Sequence, residues 1–199
     1  MVAIQITSFP ASDAFIANPE IVKEPMELIK TADGYKGSVY GIKVEDKRTG
    51  YLVSIWESFE HREKLSQNPA FAGFGDKVKA ALNGPLVRDH FDFSGSLEPA
   101  LSAPIVEIVT FTLKPGASVE KLTSILAEVQ KAGGGAPGLQ GPAIMGQSVE
   151  DPSKLFVIVG WDSVEAHTTY VSQNPQAALR DQIFALAEPA IAHINAQKH

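Results

Sequence analysis

Residues 56–69 read WESFEHREKLSQNP, and residues 161–175 read WDSVEAHTTYVSQNP. When a gap of one residue is allowed, both stretches contain a tryptophan, a serine two residues later, a glutamate two residues after that, and a closing Ser-Gln-Asn-Pro. Unrelated segments of this length would share about one identity. The repetition therefore indicates an internal duplication, with two similar units in a chain of 199 residues.

The composition narrows the classes of partner and chemistry. The net charge is −6 and no cluster of Lys or Arg is present, which argues against nucleic acid and anionic membranes as partners. The absence of cysteine excludes disulfides, thiol nucleophiles and cysteine-ligated metals. The first residues lack the pattern of a secretory signal, and no apolar run is long enough to span a membrane. These features predict a cytoplasmic protein.

The two halves have the same predicted order of elements: strand, helix, strand, strand, helix, strand. The predicted strands cover residues 2–9, 35–46, 50–56 and 86–93 in the first half, and 105–113, 139–150, 154–161 and 190–195 in the second. A clear amphipathic helix begins near Val119, whereas its counterpart from about Asp13 to Asp33 contains two prolines and is predicted to form in pieces.

This order is that of a ferredoxin-like βαββαβ unit. We therefore predict an α+β fold with a first unit at 1–94, a linker at 95–103 and a second unit at 104–199. The strands YLVSIW and LFVIVGW are almost continuously apolar, which predicts that both of their faces are covered.

Most of the repeated phrase is explained by helix boundaries. Ser58 and Ser163 follow a predicted strand at the position of a helix N-cap, with a glutamate two residues later. The pairs Asn68-Pro69 and Asn174-Pro175 should each end one helix and begin another. The phrase therefore predicts architecture more strongly than chemistry.

Several of these features together resemble the dimeric α+β barrel superfamily, in particular its antibiotic-biosynthesis-monooxygenase and stress-responsive barrel domains. They are the turn KPGAS at 114–118, the strand ending in Trp161, the S-x-E-A-H motif of 163–167 and the Ser-Gln-Asn-Pro break. The resemblance implies that two units press their sheets together into a pseudo-dimeric barrel with helices outside. We expect a monomer, with a homodimer as the alternative.

The resemblance also implies a cavity between sheet and helices in each unit, for a small aromatic or polyketide-like ligand. Related proteins use such cavities for cofactor-free oxidation of quinol-like aromatics, polyketide cyclisation, cyanohydrin cleavage or haem degradation, and the fold alone does not select among them. The asparagine and histidine typical of haem degraders are not evident here. We predict a cofactor-independent monooxygenase; the alternatives are a cyclase or lyase, or a non-catalytic, ligand-sequestering barrel.

Histidines are the candidate catalytic groups, because imidazole can take and return a proton near neutral pH. His90 and His193 lie on the last strand of each half, and His167 lies in the first turn of a helix. His61 is a weaker candidate, and His199 is terminal. The alternative for each is a structural histidine that is hydrogen-bonded or solvated.

The candidate ligand-binding residues are the aromatic and basic side chains expected near the cavities: Arg88, Tyr40, Trp56, Trp161 and Tyr170. Arg88 shares one strand face with a candidate histidine, so the two could bind and deprotonate an acidic ligand; a charged edge strand is the alternative. For the aromatic residues the alternative is core packing. The histidines are scattered without chelating spacings, so neither a metal site nor a cofactor is predicted.

Overall fold

A computed structural model describes residues 1–173 and 176–198, apart from the side chain of Ser66. The chain forms two compact units. One comprises Met1–Ser94 together with the residues from Ile194 onward, and the other comprises Gly95–His193. Each unit contains one antiparallel sheet and several helices, so the predicted α+β class is confirmed.

The first unit follows the predicted order of elements. Its strands are β1 (Val2–Pro10), β2 (Tyr35–Ile42), β3 (Thr49–Trp56) and β4 (Val87–Phe93). Its helices are α1 (Asp13–Ala17), α2 (Lys23–Ile29), α3 (Phe59–Gln67) and α4 (Phe74–Val78), with short 3-10 helices at Pro19–Val22, Pro69–Phe71 and Lys79–Ala81. The sheet order β4-β1-β3-β2 is that of a ferredoxin-like unit.

The second unit repeats this topology with longer helices. Its elements are α5 (Glu98–Leu101), β5 (Ile105–Leu113), α6 (Val119–Gly133), β6 (Leu139–Gln147), β7 (Lys154–Trp161), α7 (Val164–Ser172), α8 (Ala177–Leu186) and β8 (Ala187–Asn195). The sheet order β6-β7-β5-β8 matches that of the first unit. The segment predicted as a linker contains α5, which buries Ala100 and Leu101.

The first-half helix forms in pieces, as predicted. Ser12 begins α1 by accepting a hydrogen bond from the Phe15 amide at 3.1 Å. The helix stops at Asn18, whose side chain accepts from the Glu20 amide and so begins the 3-10 helix that starts at Pro19. A residue before proline avoids the helical region, which explains the break.

The repeated phrase forms the predicted boundaries, with one difference between the halves. The Ser163 hydroxyl caps α7 by accepting from the Ala166 amide at 3.1 Å. Ser58 occupies the N-cap position of α3, but its hydroxyl bonds Nδ1 of His61 at 2.9 Å and caps no amide. Asn68 ends α3 and starts the next 3-10 helix. The predicted break at Asn174-Pro175 lies outside the described residues.

Both faces of the central strands are buried, as the apolar runs predicted. In β3 the neighbours Val53 and Ser54 point to opposite faces and are buried, and the same holds for Val157 and Ile158 in β7. One face of the second sheet packs against the apolar stripe of α6, formed by Leu122, Ile125 and Leu126. The cavity described below lies between this sheet face and the helices.

Gln197 and Lys198 form a strand that the sequence analysis did not predict. The strand β9 (Gln197–Lys198) pairs with β2 through Val39 and Tyr40. Gly41 permits this approach, because a Cβ there would lie 2.5 Å from the carbonyl oxygen of Asn195. Backbone pairing of two polar residues leaves no hydrophobic pattern, so propensity alone does not reveal it.

Gly160 is a position where the second unit leaves no room for a side chain. A Cβ there would lie 2.8 Å from both the Cα and the carbonyl oxygen of Ala100. We expect Gly160→Ala to lower the free energy of unfolding by about 1–3 kcal/mol, because the backbone of α5 must move. Gly75 has no atom within 4 Å of such a Cβ, so Gly75→Ala should change stability by less than about 1 kcal/mol. Denaturant unfolding of both variants measures the difference, and equal stabilities would contradict the packing described.

Candidate functional site

The second unit contains a large cavity of about 800 Å³ between its sheet and its helices. The lining is mostly apolar and includes Phe111, Met145, Val157 and Trp161. Its volume lies within the range of small-molecule sites, which are typically 300–1,000 Å³. Polar residues are a minority of the lining, so their positions determine which ligand groups the cavity can bind and which proton transfers it can support.

One wall of the cavity carries a group of three ionisable side chains, Glu107, His167 and His193. Nδ1 of His167 lies 2.8 Å from Nε2 of His193, and Nε2 of His167 lies 3.5 Å from Oε1 of Glu107. The three residues come from β5, α7 and β8, which are far apart in sequence. Glu107 and His167 line the cavity, while His193 lies behind His167 and does not contribute to the described lining.

Glu107 is a buried carboxylate with only 6% of its side chain exposed. A buried ion loses several kcal/mol of solvation unless polar partners replace the water. Trp161 provides one replacement, because its indole Nε1 donates to Oε2 of Glu107 at 2.7 Å. The neighbouring imidazole of His167 provides a second, so the site can hold Glu107 as an anion inside an apolar wall.

The contacts of His167 are compatible with a tautomer that suits a general base. When Nδ1 carries the proton it donates to Nε2 of His193, and Nε2 of His167 then keeps its lone pair. A proton taken up at that Nε2 creates an imidazolium beside the Glu107 carboxylate. This is the arrangement of a general base that is oriented on one side and stabilised electrostatically on the other.

The same three side chains could also act as metal ligands. One donor atom from each of Glu107, His167 and His193 lies within 4.8 Å of the others, which the sequence spacings did not predict. In the observed geometry, however, His167 faces His193 with Nδ1 and Glu107 with Nε2. One ion could bind only one of those nitrogens, so the contacts match a proton relay more closely than a chelate.

Further polar side chains line the same cavity, among them Tyr170 and Arg180. The Tyr170 hydroxyl accepts a hydrogen bond from Nε2 of Gln176 at 2.8 Å, and its ring lies 6.1 Å from that of Trp161. Arg180 lines the cavity from α8, and its Nε is buried with no hydrogen-bond partner within residues 1–173 and 176–198. A buried donor without a partner costs about 1–3 kcal/mol, and a ligand oxygen could satisfy it.

The first unit has a smaller cavity, of about 300 Å³, in the equivalent place. Tyr40, Trp56, Arg62 and Arg88 contribute to its lining. Burial raises the pKa of the Tyr40 hydroxyl, and the nearby carboxylate of Glu20 adds to this effect. The phenol therefore stays neutral at physiological pH.

The acid–base group is not repeated in the first unit. Gln5 corresponds to Glu107, because each lies two residues beyond the one that faces the strand-ending tryptophan. Arg62 corresponds to His167, since each follows that tryptophan by six residues. His90 is retained beside Gln5, but its ring stacks on Phe59 at 3.5 Å between ring centroids. The two cavities therefore differ in chemistry.

The structure divides the predicted site residues between the two units. His167, Trp161 and Tyr170 line the second cavity, and His193 contacts His167 behind its wall. In the first cavity the predicted lining residues are Tyr40, Trp56 and Arg88. His90 does not contribute to the described lining of either cavity.

Sequence reasoning missed Glu107, Arg62 and Arg180. Glu107 had a usable signal, because it is the one charged residue in the apolar strand IVEIVTFTL. Aligning the repeats without a gap places Arg62 opposite His167, but Arg62 was not among the predicted site residues. Arg180 lies in an ordinary helical sequence that offers no such signal.

Comparison with solved structures identifies the fold. A protein from Fusobacterium nucleatum described as a "putative monooxygenase" superposes with a TM-score of 0.73 at 13% identity, over 100% of this chain and 94% of the other. A "putative monooxygenase" from Lactobacillus acidophilus gives 0.70 at 10% identity, over 99% and 95%. An "anthrone oxidase-like protein" gives 0.70 at 13% identity, over 100% and 92%. No family model and no curated protein matches the sequence.

The chain therefore has the fold of these three proteins over its whole length. At the level of the fold, the tandem α+β architecture predicted from the sequence is confirmed. Within residues 1–173 and 176–198, none of the helices is long and apolar enough to cross a membrane.

Proposed function

We propose that the second unit binds an aromatic or polyketide-like molecule and oxidises it without a cofactor, starting with removal of an acidic proton. The observation that carries this proposal is the Glu107–His167–His193 group in the wall of a large apolar cavity. An apolar cavity selects a hydrophobic ligand, and this group, which contains a candidate base, supplies the acid–base chemistry.

Nε2 of His167 is the proposed base. It takes a proton from an acidic carbon or hydroxyl of the ligand, and the Glu107 carboxylate 3.5 Å away stabilises the resulting imidazolium. His193 contacts the other ring nitrogen and so restrains the orientation of the imidazole in the cavity wall. Positioned general bases of this kind contribute about 100- to 10,000-fold to a rate.

The other polar lining groups orient the ligand. Arg180 offers its buried Nε to an oxygen of the ligand, on which negative charge collects when the proton is removed. Tyr170 and Trp161 supply aromatic surface for stacking. Both the base and the stabiliser of the anion therefore face one cavity.

The chemistry balances with dioxygen as the only co-reactant. For an anthrone, loss of one proton from the methylene carbon gives a carbanion, which transfers electrons to dioxygen and forms a carbon–oxygen bond. The hydroperoxide then loses water and leaves a ketone. The two hydrogens of the methylene group leave in the water molecule, the ligand is oxidised and dioxygen is reduced.

Oxygen consumption tests the proposal. We expect the protein to accelerate dioxygen uptake with an anthrone or a hydroquinone, and His167→Ala to remove most of that acceleration. Binding of these compounds without uptake, together with conversion of an enolisable substrate, would instead support a cyclase or lyase. Neither binding nor uptake with any of these compounds would contradict the proposed function.

Treatment with a chelator distinguishes the relay from a metal site. We expect dialysis against EDTA to leave turnover unchanged, because His167 uses its two nitrogens toward two different protein groups. The control is the same protein after addition of zinc or cobalt. Loss of turnover that returns with one of these ions would show that Glu107, His167 and His193 act as metal ligands.

A further inference from the structure

The cavity of the first unit differs from that of the second in charge as well as in size. We propose that it is a separate binding site for a small organic anion, and that an aromatic or short-chain carboxylate is the class of ligand that fits it. The site is independent of the proposed reaction, because its residues lie in the other unit.

Two cations and no anion line this cavity. Arg62 comes from α3 and the exposed Arg88 from β4, so the two arginines line the cavity from different elements. Among the described lining residues there is no Asp or Glu. The replacement of Glu107 by Gln5 at the equivalent position removes the one carboxylate that the second cavity has.

Arginine suits a carboxylate ligand for geometric reasons. Its planar guanidinium presents two parallel N–H donors to two carboxylate oxygens, and it stays charged at every relevant pH. Replacing His167 by Arg62 at the equivalent position exchanges a group that can accept a proton for one that cannot. At this position the first cavity therefore has a permanently positive side chain, whereas the second cavity has a side chain that can take up and release a proton.

The rest of the lining fits the apolar part of such a ligand. Phe9, Phe15, Met26 and Trp56 contribute apolar surface. Tyr40 and Tyr51 also line the cavity, and burial raises the pKa of both hydroxyls, so they remain neutral and can donate hydrogen bonds. A volume of about 300 Å³ suits a single ring or a short chain better than a polycyclic compound.

Matched acid and amide probes test this inference. The chain contains two tryptophans, so Trp161→Phe leaves Trp56 as the only tryptophan, in the lining of the first cavity, where it can be excited selectively over tyrosine. We expect saturable quenching by phenylacetate and at least about 10-fold weaker binding of phenylacetamide, which has the same shape and no charge. Calorimetry on the unaltered chain measures the same preference independently of that substitution.

Substitutions of the two arginines locate the site. Arg62→Gln and Arg88→Gln should each weaken phenylacetate binding at least about 10-fold, and thermal unfolding checks that both variants fold. Arg48→Gln is the control, because Arg48 belongs to the same unit, is exposed and does not line the cavity. Equal affinity for acid and amide, or equal weakening by all three substitutions, would overturn the inference. These results do not depend on oxygen uptake, so this proposal and the proposed function can fail separately.

Discussion

Glu107→Gln should lower turnover of an oxidisable aromatic about 100- to 1,000-fold, which is within the range expected for removal of the base His167 itself. The amide retains an oxygen that can accept from the Trp161 indole, so the packing of the wall is preserved. It has no charge, however, and cannot stabilise an imidazolium at His167 3.5 Å away. The proton transfer then loses its electrostatic support.

Steady-state oxygen consumption measures this loss, and thermal unfolding shows whether the variant folds. The matched control is Glu128→Gln, which removes one carboxylate from the exposed face of α6 and should leave turnover unchanged. If Glu107→Gln and Glu128→Gln retained equal turnover, the carboxylate would have no role in the reaction, and the proposed relay would be wrong.

Substitution of the two strand histidines should show that only one unit catalyses the reaction. We expect His193→Ala to lower turnover about 10- to 100-fold, because His167 then loses the partner that holds its Nδ1. His90→Ala should leave turnover within about 2-fold of the starting protein, because His90 stacks on Phe59 and is outside both described cavity linings.

A structural role and a positioning role of His193 make different predictions. His193→Asn offers an amide that can still contact Nδ1 of His167, so it should restore part of the turnover if His193 acts by positioning that ring. The pH dependence of turnover should also change in His193→Ala, because the partner of the base is altered. Equal losses in His193→Ala and His90→Ala would indicate two working cavities.

The architecture was predictable because its signals are local. The repeated phrase predicted that each half has a strand ending in tryptophan followed by the start of a helix. The apolar runs of β3 and β7 predicted that both faces of these strands are buried. Prolines predicted the interrupted first helix. Such signals depend on neighbouring residues in the chain, so they can be read without knowing how the elements pack.

The acid–base group was predictable only in part, because its members meet through the packing of distant elements. His167 and His193 were both candidates, but nothing in their sequence positions placed Nδ1 of one 2.8 Å from Nε2 of the other. Glu107 joins them because β8 lies beside β5 in the sheet, although five elements (α6, β6, β7, α7 and α8) separate these strands in sequence. The contact also requires α7 to lie over that part of the sheet.

The difference between the cavities depends on single substitutions that leave the fold unchanged. Gln5 and Glu107 fit the same place in a strand, and Arg62 and His167 fit the same place in a helix. Each exchange alters charge and proton affinity without changing the hydrophobic pattern that predicts the elements. Sequence patterns therefore identify the duplicated scaffold before they identify which unit carries a base.

The two tryptophans allow the most direct test of the claim that the second cavity binds the aromatic ligand. In Trp56→Phe the only tryptophan is Trp161, which lines that cavity, and in Trp161→Phe it is Trp56 in the other cavity. Titration with anthraquinone, a flat uncharged aromatic that cannot be oxidised further, should quench Trp161 saturably and leave Trp56 without saturable quenching. Saturable quenching of Trp56 alone, or of neither tryptophan, would contradict the account.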